Sequence, residues 1–509
     1  MHLRQLLETI EPLQAAGDGG IEISMLTCDS RKVQPGALFF ALPGVTVDGH
    51  NFIKSAVAAG AGAVVLESVE YAPDAVPWVQ VADARLAMAR MAARFHGDPT
   101  SKRALVGITG TNGKTTTTYL VEGIMQAAGV PAAVLGTISY RFGASTIEAS
   151  HTTPESTELQ AAFHQLSEVG AQAFIMEVSS HALDQRRVDG CHFDVGVFTN
   201  LTRDHLDYHR TMDDYRDAKL RLFSELLQPD SIKPRRRAVI NLDDPSGELF
   251  AEAAACPVVS YAIGKPADVT VRELRSSVDG LSGVLVTPAG EVPFSSQLVG
   301  RFNLSNLLAA AATGIALELP LAAIVQGLEN HSRVPGRLER VPNRRGVTCL
   351  VDYAHTGDAL ENVLTTLKEL ATGRIITVFG CGGDRDPGKR PVMGEIAARF
   401  SDISVVTSDN PRTEDPQKIL AQVRDGILPL GLPEYEPAEL EQGSGGRCFT
   451  VLENRREAIR LATRLVRPGD ILLLAGKGHE DYQIIGTTKY HFDDREEAAA
   501  ALEEEAQHV

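Results

Sequence analysis

One stretch of this sequence combines glycines, a lysine and threonines in a spacing that binds phosphate. In the segment GITGTNGKTTTTYL an apolar strand runs into Gly110 and Gly113, and a helix is predicted to follow. Glycines allow backbone N–H groups to approach phosphate oxygens, and a helix N-terminus adds positive potential. Lys114 would reach the outer phosphates of a nucleotide, and Thr115 would hold Mg²⁺. The strict pattern requires glycine at the position of Ile108, so a chance turn at a helix start is the competing interpretation.

A carboxylate and two histidines follow two further predicted strands. Glu177 ends the apolar run AFIMEV, where it would hold Mg²⁺ directly or through water; a solvated residue at a strand end is the alternative. His205 and His209 are spaced like a zinc pair, but no third soft ligand lies nearby in the sequence. The preferred hypothesis is that His205 alone contacts Mg²⁺ or a bound phosphate.

Lys219 falls inside the apolar stripe of a predicted helix, DDYRDAKLRLFSELL, four residues after Tyr215. One interpretation is a lysine whose stem packs while its ammonium reaches water. The other is a partly desolvated amine with a lowered pKa, which can react while neutral. The pattern alone favours neither.

Further charged residues lie at a strand end in the last third of the chain. Asp352 and His355 occur in VDYAHTGDAL, and Arg337 in GRLE would reach a phosphate. A helix cap and a surface ion pair explain these residues equally well.

Composition restricts the class of protein. The chain has 509 residues, 66 acidic and 49 basic side chains, and a formal net charge of −17. This balance argues against a protein that binds nucleic acid or an anionic membrane, since both need a basic surface. Small phosphate-bearing ligands stay possible because they need only a local positive site.

Other features predict a cytoplasmic protein. The six cysteines include no C-x-x-C pair, which is typical of neither a disulfide framework nor a zinc cluster. The N-terminal MHLRQLLETIEP lacks the continuous apolar core of a secretion signal. The most apolar stretch, residues 307–325, contains Glu318 and Pro320, so we predict two buried helices broken at the proline instead of a membrane span.

The elements that must position these residues follow an alternation of apolar strands and helices. This alternation predicts an α/β protein with largely parallel sheets, and the length predicts about three domains. We place them at residues 1–98, 99–334 and 335–509. Polar and glycine residues end the strands of the last section, and ligands of open α/β sheets bind beyond such strand ends.

Twelve short strings, in one order along all three sections, resemble the Mur ligases, ATP-dependent amide-forming enzymes of peptidoglycan precursor synthesis. They are DSR, TGTNGKTTT, HTTPES, EVSSHAL, TNLTRDHLDYH, DAKLRLF, GRFNLSN, GRLE, DYAHT, GCGGDRD, TSDNPRTEDP and AGKGHEDYQ. The resemblance implies an N-terminal domain that binds a UDP-linked substrate, a central P-loop-type ATP domain and a C-terminal Rossmann-like domain that binds an amino acid.

The resemblance also implies a role for individual residues. The implied ATP-binding residues are Gly110, Thr111, Asn112, Gly113, Lys114, Thr115, Thr116, Asn303, Arg337 and Asp352. The implied catalytic residues are Lys114, Glu177, His205 and Lys219, and the implied Mg²⁺ ligands are Thr115, Glu177, His205 and Lys219, the last as a carbamate. The implied contacts to the UDP-linked substrate are Ser30, Thr152, Thr153, Ser179, Gln185 and Arg187. The implied diaminopimelate contacts are Arg385, Asp409, Asn410, Pro411, Arg412, Gly476 and Glu480.

Within the family, the DNPR string resembles the branch that adds meso-2,6-diaminopimelate to UDP-MurNAc-L-Ala-D-Glu. Arg412 can bind the distal carboxylate of diaminopimelate in a bidentate manner, whereas it would repel the ammonium end of lysine. The expected cofactors are two Mg²⁺ ions, with ATP as co-substrate. A cytoplasmic bacterial monomer acting on small molecules, without nucleic acid or membrane insertion, is the expectation. Folylpolyglutamate synthetase and a P-loop switch or motor are the rival hypotheses.

Overall fold

The predicted alternation of strands and helices is present in most of the described residues, and the α/β prediction is confirmed. The computed structural model describes residues 1–44, 47–143, 145–148, 151–229, 232–330, 334–443 and 446–506. These residues form two compact units. The first contains Met1–Thr270, Val286–Glu291 and Leu307–Gly327; the second contains Val271–Leu285, Val292–Asn306 and Leu328–Val509.

The first unit begins with a five-stranded sheet. Its strand order is β1-β5-β4-β3-β2, with β1 antiparallel to β5 and the other neighbours parallel. Leu38, Phe40 and Val65 pack against helix α3 in one apolar core. The elements are α1 Leu3–Leu7, β1 Gln14–Ala16, β2 Met25–Thr27, β3 Ala37–Phe40, α2 Ile53–Ala58, β4 Ala61–Leu66, β5 Trp78–Gln80 and α3 Ala84–Phe95.

An eight-stranded sheet with its own core follows in the first unit. The elements are β6 Ala104–Thr109, α4 Lys114–Ala127, β7 Ala132–Leu135, β8 Ser139–Phe142, β9 Ser145–Glu148, α5 Ser156–Glu168, β10 Ala173–Glu177, α6 Ser180–Asp184, β11 Val195–Phe198, α7 Leu206–His209, α8 Met212–Ser224, β12 Arg237–Asn241, α9 Gly247–Ala253 and β13 Val258–Tyr261. The order is β13-β12-β11-β6-β10-β7-β8-β9.

The six strands from β13 to β7 in that order run parallel, and β8 and β9 are antiparallel additions. The carboxyl ends of β6, β10 and β11 therefore meet at one edge of the sheet. Ile108 of β6 faces Glu177 of β10 and Val197 of β11 in register. This edge collects the loop after β6 and the residues that end the two flanking strands.

The predicted break at Pro320 is confirmed by two helices, α10 Arg301–Ala316 and α11 Leu321–Asn330. They follow a three-stranded sheet formed by β14 Thr270–Ser277, β15 Gly280–Thr287 and β16 Gly290–Ser296. Among the described residues, no helix is both long and apolar enough to cross a bilayer.

A six-stranded sheet dominates the second unit, with the order β17-β18-β22-β19-β20-β21. Only β17 is antiparallel to its neighbour, and helices cover two apolar cores. Strands β23 and β24 form a separate antiparallel pair. The elements are β17 Glu339–Arg340, β18 Thr348–Asp352, α12 Gly357–Leu370, β19 Ile375–Phe379, α13 Lys389–Phe400, β20 Ile403–Val406, α14 Pro416–Ile427, α15 Pro437–Gln442, β21 Cys448–Val451, α16 Arg455–Leu465, β22 Ile471–Ala475, β23 Tyr482–Ile485, β24 Thr488–His491 and α17 Asp494–Ala506.

Candidate functional site

The loop after β6, which we call the phosphate turn after the function predicted for it, joins a strand to a helix as expected, although position 108 is not glycine. Ile108 lies inside β6 and is fully buried, so the turn begins after it. Gly110 has φ +146°, and a Cβ there would lie 1.9 Å from Thr199 Oγ1. Gly113, at φ 86°, precedes the first residue of α4, Lys114. The glycines are therefore required by backbone conformation and by a close approach.

Residues after β11 hold this turn from the side. The Thr111 N–H donates to Asn200 O at 2.9 Å, and the Asn112 N–H donates to Asn200 Oδ1 at 2.9 Å. The Thr199 hydroxyl donates to Asn112 O at 2.7 Å. The Lys114 ammonium donates to the carbonyls of Gly110 and Thr111 at 2.9 and 2.7 Å, so it folds back over the turn.

Glu177 is buried, and it accepts hydrogen bonds from two sides. The Thr115 hydroxyl donates to Glu177 Oε1 at 3.0 Å. The Thr137 N–H donates to the same oxygen at 3.0 Å, and the Thr137 hydroxyl donates to Oε2 at 3.1 Å. The alternative prediction, a solvent-exposed glutamate at a strand end, is wrong, because Glu177 is buried. Thr115 and Glu177 together present hard oxygen atoms beside the phosphate turn.

Lys219 lies in the apolar interior and does not reach water. Its side chain is 1% exposed, and its Nζ donates to Gly110 O at 3.0 Å and lies 4.5 Å from the centroid of the Tyr215 ring. Burial lowers the pKa of Lys219 well below its ordinary value, and the charge of Lys114 lowers it further against the opposing charge of Asp204. The structure thus agrees with a desolvated amine.

His205 belongs to a group of rings formed by α6, α7 and α8. It has φ 53° and lies with its ring centroid 5.0 Å from that of His181 and 5.9 Å from that of Tyr215. His209 is buried and pairs with Ser180 Oγ at 2.9 Å. The Nε2 nitrogen of His209 is therefore engaged by Ser180. Within the described ranges, no group of three or more His, Cys, Asp or Glu side chains is arranged to hold a metal ion.

Three of the predicted contacts to the UDP-linked substrate, Thr152, Thr153 and Ser179, take part in hydrogen bonds near Glu177. Thr152 Oγ1 lies 3.1 Å from Thr137 Oγ1, and the Thr153 hydroxyl donates to Glu177 O at 2.8 Å. Thr153 Oγ1 also accepts the Ser179 N–H at 3.1 Å.

Arg187 continues this network. Its Nη1 donates to Thr153 O at 2.8 Å, and its Nη2 donates to Gln185 Oε1 at 2.7 Å. Ser30 lies apart, in a short helical turn after Asp29, on the five-stranded sheet domain. The nearby Lys32 pairs with Glu158 of α5 at 2.8 Å, which links the Ser30 turn to the helix that follows Thr153.

Three predicted ATP contacts lie in the second unit. Asn303 is fully buried, and its Nδ2 donates to Val299 O at 2.9 Å. Asp352 accepts the N–H groups of Leu338 and Ala354 at 2.7 and 2.8 Å, and burial raises its pKa against the opposing charge of Arg337. The guanidinium of Arg337 lies 5.1 Å from the centroid of the Tyr353 ring.

Residues that follow β20 and β22 form a second charged cluster in this unit. Asn410 Nδ2 donates to Glu480 Oε2 at 2.9 Å, and the Lys477 ammonium donates to Asp409 Oδ1 at 3.2 Å. Gly476 has φ 113°, a backbone conformation that favours glycine, and a Cβ there would make an ordinary contact of 3.4 Å with Asp409 Oδ2. The segments that follow these two strands therefore contact one another, although β19 lies between the strands in the sheet.

Arg412 and Arg385 flank Gly382 beside this cluster. A Cβ at Gly382 would lie 2.9 Å from Arg412 Nη1 and 3.9 Å from Arg385 Cγ. Arg412 Nη1 donates to Gly383 O at 2.7 Å, and a Cβ at Gly383 would collide with the Pro411 carbonyl oxygen. Arg385 is exposed and donates to Asp384 O. The predicted diaminopimelate residues thus follow the carboxyl ends of β19, β20 and β22.

Sequence reasoning missed several residues that complete these sites. They are Thr137, Thr199, Asn200 and Lys477. Thr137 contacts Glu177 and Asn200 contacts the turn, both from loops. These residues were missed because the position of each loop depends on the order of the strands, which could not be predicted from the sequence. Lys477 had a usable signal, since it lies between two glycines directly after a strand, within AGKGHEDYQ.

Three segments of the chain match models of one family. Residues 22–96 match the Mur ligase family catalytic domain, residues 108–314 the Mur ligase middle domain, and residues 336–478 the Mur ligase glutamate ligase domain. The chain belongs to the Mur ligase family.

Full-length relatives agree with this assignment. UDP-N-acetylmuramoyl-L-alanyl-D-glutamate–2,6-diaminopimelate ligase of Geobacter metallireducens is 63% identical over 99% of both chains. The protein of the same name from Geobacillus kaustophilus is 45% identical over 99% of this chain and 100% of its own. A solved structure of a ligase with this name has a TM-score of 0.71 and 34% identity, covering 100% of this chain and 99% of that one.

Proposed function

We propose that this chain is an ATP-dependent ligase that joins meso-2,6-diaminopimelate to UDP-N-acetylmuramoyl-L-alanyl-D-glutamate, in peptidoglycan precursor synthesis. The observation that carries the proposal is the 63% identity, over 99% of both chains, to a ligase named for that reaction. The phosphate turn beside a buried amine, and the charged cluster around Asp409, supply the chemistry that such a reaction needs.

The phosphate turn is the proposed binding site for the ATP phosphates. The turn residues Gly110–Thr116 would surround the phosphates with backbone N–H groups at the start of α4. Lys114, now hydrogen-bonded to two carbonyls of the turn, would exchange those contacts for phosphate oxygens. Asn303, Arg337 and Asp352 are proposed as further ATP contacts.

The residues present fit Mg²⁺. The Thr115 hydroxyl and the Glu177 carboxylate, 3.0 Å apart, are hard oxygen donors of the kind that Mg²⁺ prefers. His205 is proposed as a further contact to the metal or the phosphate. An ammonium at Lys219 would repel a cation. A neutral amine there can form an N–C bond to CO₂ and release a proton, which gives a carbamate anion with two oxygen donors. When bound, two Mg²⁺ ions would neutralise charge on the phosphates.

The residues of this chain would then support two chemical steps. In the first, the γ-carboxylate of the D-glutamate attacks the ATP γ-phosphorus, which gives an acyl phosphate and ADP. In the second, the diaminopimelate amine attacks the acyl carbon, loses a proton and expels phosphate. Lys114 would stabilise charge on the transferring phosphoryl group. Thr152, Thr153, Ser179, Gln185, Arg187 and Ser30 are proposed to orient the UDP-linked substrate.

The cluster of the second unit is proposed to select the amino acid. Arg412 would bind the distal carboxylate, and Glu480 would face the distal ammonium. Arg385, Asp409, Asn410, Pro411 and Gly476 are proposed to complete the pocket. Lysine lacks the distal carboxylate, so its side chain would bring an ammonium toward Arg412 with no compensating contact.

The remaining features of the proposal concern the protein as a whole. We propose that it acts as a cytoplasmic monomer on small-molecule substrates. The boundaries near residues 98 and 334, which separate a UDP-substrate domain, an ATP domain and an amino-acid domain, are part of the same proposal.

A phosphate-release assay tests the reaction. Purified protein receives ATP, Mg²⁺, the UDP-linked dipeptide and either diaminopimelate or lysine, and each substrate is omitted in turn. Phosphate release is expected only when all are present, with diaminopimelate strongly preferred. Equal release without any amino acid would contradict the ligase proposal, and equal use of lysine would contradict its specificity.

A further inference from the structure

Lys477 is a fully buried lysine that the proposed reaction does not use. Its side chain is 0% exposed, and its Nζ lies 3.2 Å from Asp409 Oδ1 and 3.3 Å from Asn410 Oδ1. Glu480 Oε2 lies 3.6 Å from the same nitrogen. All three of these partners are proposed diaminopimelate contacts, so one ammonium joins the polar part of the amino-acid pocket.

The Lys477 ammonium offsets the electrostatic repulsion between the carboxylates of Asp409 and Glu480. Burial and the charge of Asp409 raise the pKa of Glu480, and Lys477 opposes that rise. The pKa of Asp409 is lowered in spite of burial, chiefly by the charge of Lys477. Two carboxylates in one site without a cation hold a proton between them.

Other charged or titratable groups face this pair from the surrounding elements. They are Arg455, His355, Tyr353, Tyr482 and Cys381. Arg455 is committed to Asp494 through hydrogen bonds of 2.8 and 2.6 Å. Lys477 is the cation that donates directly to the Asp409 carboxylate.

Lys477 also fixes the orientation of the Asn410 amide. Asn410 Oδ1 accepts from Lys477 Nζ and from the Ile484 N–H at 2.9 Å. With two donors on its oxygen, the amide must point its NH₂ group away from them, and Nδ2 donates to Glu480 at 2.9 Å. The position of Glu480 therefore depends on Lys477 both directly and through Asn410.

We infer that Lys477 is a positioning residue of the amino-acid pocket, which neutralises Asp409 and holds Glu480 as a carboxylate that receives the distal ammonium of diaminopimelate. This inference rests on the proposed function and adds a residue to its specificity. It places the single uncompensated negative charge of the cluster at Glu480. One ammonium of the substrate then matches one carboxylate of the pocket.

The test compares K477M and K477R with the wild type across pH, with KM measured separately for diaminopimelate, ATP and the UDP-linked dipeptide. In K477M the two carboxylates share a proton at neutral pH, so Glu480 attracts the ammonium less. KM for diaminopimelate is expected to rise at least ~10-fold near about pH 7 and to fall again toward about pH 9 as that proton is lost. The other two KM values are expected to stay within about twofold.

Lys233 offers a matched control, because it is also buried and lies 2.6 Å from the carboxylate of Asp194. K233M is expected to lose stability without a pH-dependent change of KM for diaminopimelate. K477R keeps the cation, so its KM is expected to vary with pH no more than that of the wild type. If K477M does not fold, K477Q, whose amide can still donate to Asp409, replaces it.

Several results would overturn the inference while the proposed function stands. They are an unchanged KM for diaminopimelate in K477M, an equal rise for all three substrates, or the same pH dependence in K477R and K477M. Failure of both K477M and K477Q to fold would assign Lys477 a purely structural role and would also overturn it. Failure of the wild type to use diaminopimelate would overturn the proposed function, and the inference with it.

Discussion

Lys219 is a lysine whose ammonium form is disfavoured by its surroundings. It lies on α8 among apolar side chains, and its amine donates a hydrogen bond to the carbonyl of Gly110. The positive charge of Lys114 lowers the pKa of Lys219 further. A neutral amine is the form that reacts with CO₂, so the lowered pKa of Lys219 supports the proposed carbamate. The spacing on the predicted helix placed Lys219 in the apolar stripe, but it could not distinguish a buried amine from one that reaches water.

Replacing Lys219 tests the carbamate. Lys219→Ala is expected to lower kcat at least ~100-fold, the order of loss for a group that stabilises charge in the transition state. Short carboxylates added to the assay are expected to restore part of the activity, because they supply the missing oxygen donors. Lys233→Ala, which removes a buried lysine of the same unit, is the control and is expected to show no carboxylate rescue. Full activity of the Lys219 variant would contradict the role.

The same residue is expected to reduce stability. Because the folded-state pKa of Lys219 lies below its ordinary value of 10.5, the unfolded chain binds a proton that the folded chain does not. Below pH 10.5 this difference in proton binding therefore lowers the free energy of unfolding, and the loss becomes smaller as the pH rises toward 10.5. In CO₂-free buffer, Lys219→Met is expected to stabilise the protein by roughly 1–3 kcal/mol near neutral pH, with a smaller gain at higher pH. Urea unfolding at two pH values measures this, and a destabilised variant would contradict the stated environment.

At the scale of elements, the phosphate turn depends on neighbours that are distant in sequence. The strand, turn and helix could be predicted from GITGTNGKTTTTYL. The division of the apolar stretch into α10 and α11 at Pro320 could also be predicted. That β11 lies beside β6, and so brings Asn200 to the turn, could not be predicted. Local residue patterns specify the type of each element, whereas the order of parallel strands is set by packing across the whole sheet. For the same reason Thr137, which follows β7, was missed as a partner of Glu177.

The tight approach of β11 makes a strong prediction about Gly110. A Cβ at this position would lie 1.9 Å from Thr199 Oγ1. Gly110→Ala is expected to displace the turn, to destabilise the protein by about 1–3 kcal/mol and to lower kcat/KM for ATP at least ~10-fold. Steady-state kinetics and thermal unfolding measure the two effects.

Gly129 provides the matched control for this substitution. It also has a positive φ, +75°, but a Cβ there would meet nothing within 4 Å. Gly129→Ala is expected to cost about 1 kcal/mol through backbone strain and to leave the KM for ATP unchanged. Equal kinetic effects of the two variants would contradict the steric account of the turn.

At the scale of the whole molecule, anionic ligands are expected to bind to a chain of net charge −17. The acidic balance argues against polyanion binding and leads to the prediction that a few placed cations bind the ligands, among them Lys114, Arg187, Arg337 and Arg412. The motifs led to the predicted roles of these cations. Lys477 also lies in a motif, AGKGHEDYQ, but its burial could not be predicted, because burial depends on the packing of β22 against β18 and β19. Local charge, and not total charge, decides what this molecule binds.

Removal of Mg²⁺ tests whether metal ions supply part of the positive charge that the proposed reaction needs. Excess chelator is expected to reduce turnover at least ~100-fold, since the charge on the transferring phosphoryl group would lose its main counter-charge. Added Mg²⁺ is expected to restore turnover, whereas added monovalent salt is not. Turnover unaffected by the chelator would contradict the metal role of Thr115 and Glu177.

The most direct test of the central claim is a competition measured on the product. The purified chain is supplied with ATP, Mg²⁺, UDP-N-acetylmuramoyl-L-alanyl-D-glutamate and equal amounts of meso-2,6-diaminopimelate and lysine, and the UDP-linked products are separated by mass spectrometry. The account predicts a UDP-linked tripeptide that contains diaminopimelate, in at least ~100-fold excess over the lysine product. Absence of any UDP-linked tripeptide, or equal amounts of the two, would contradict it.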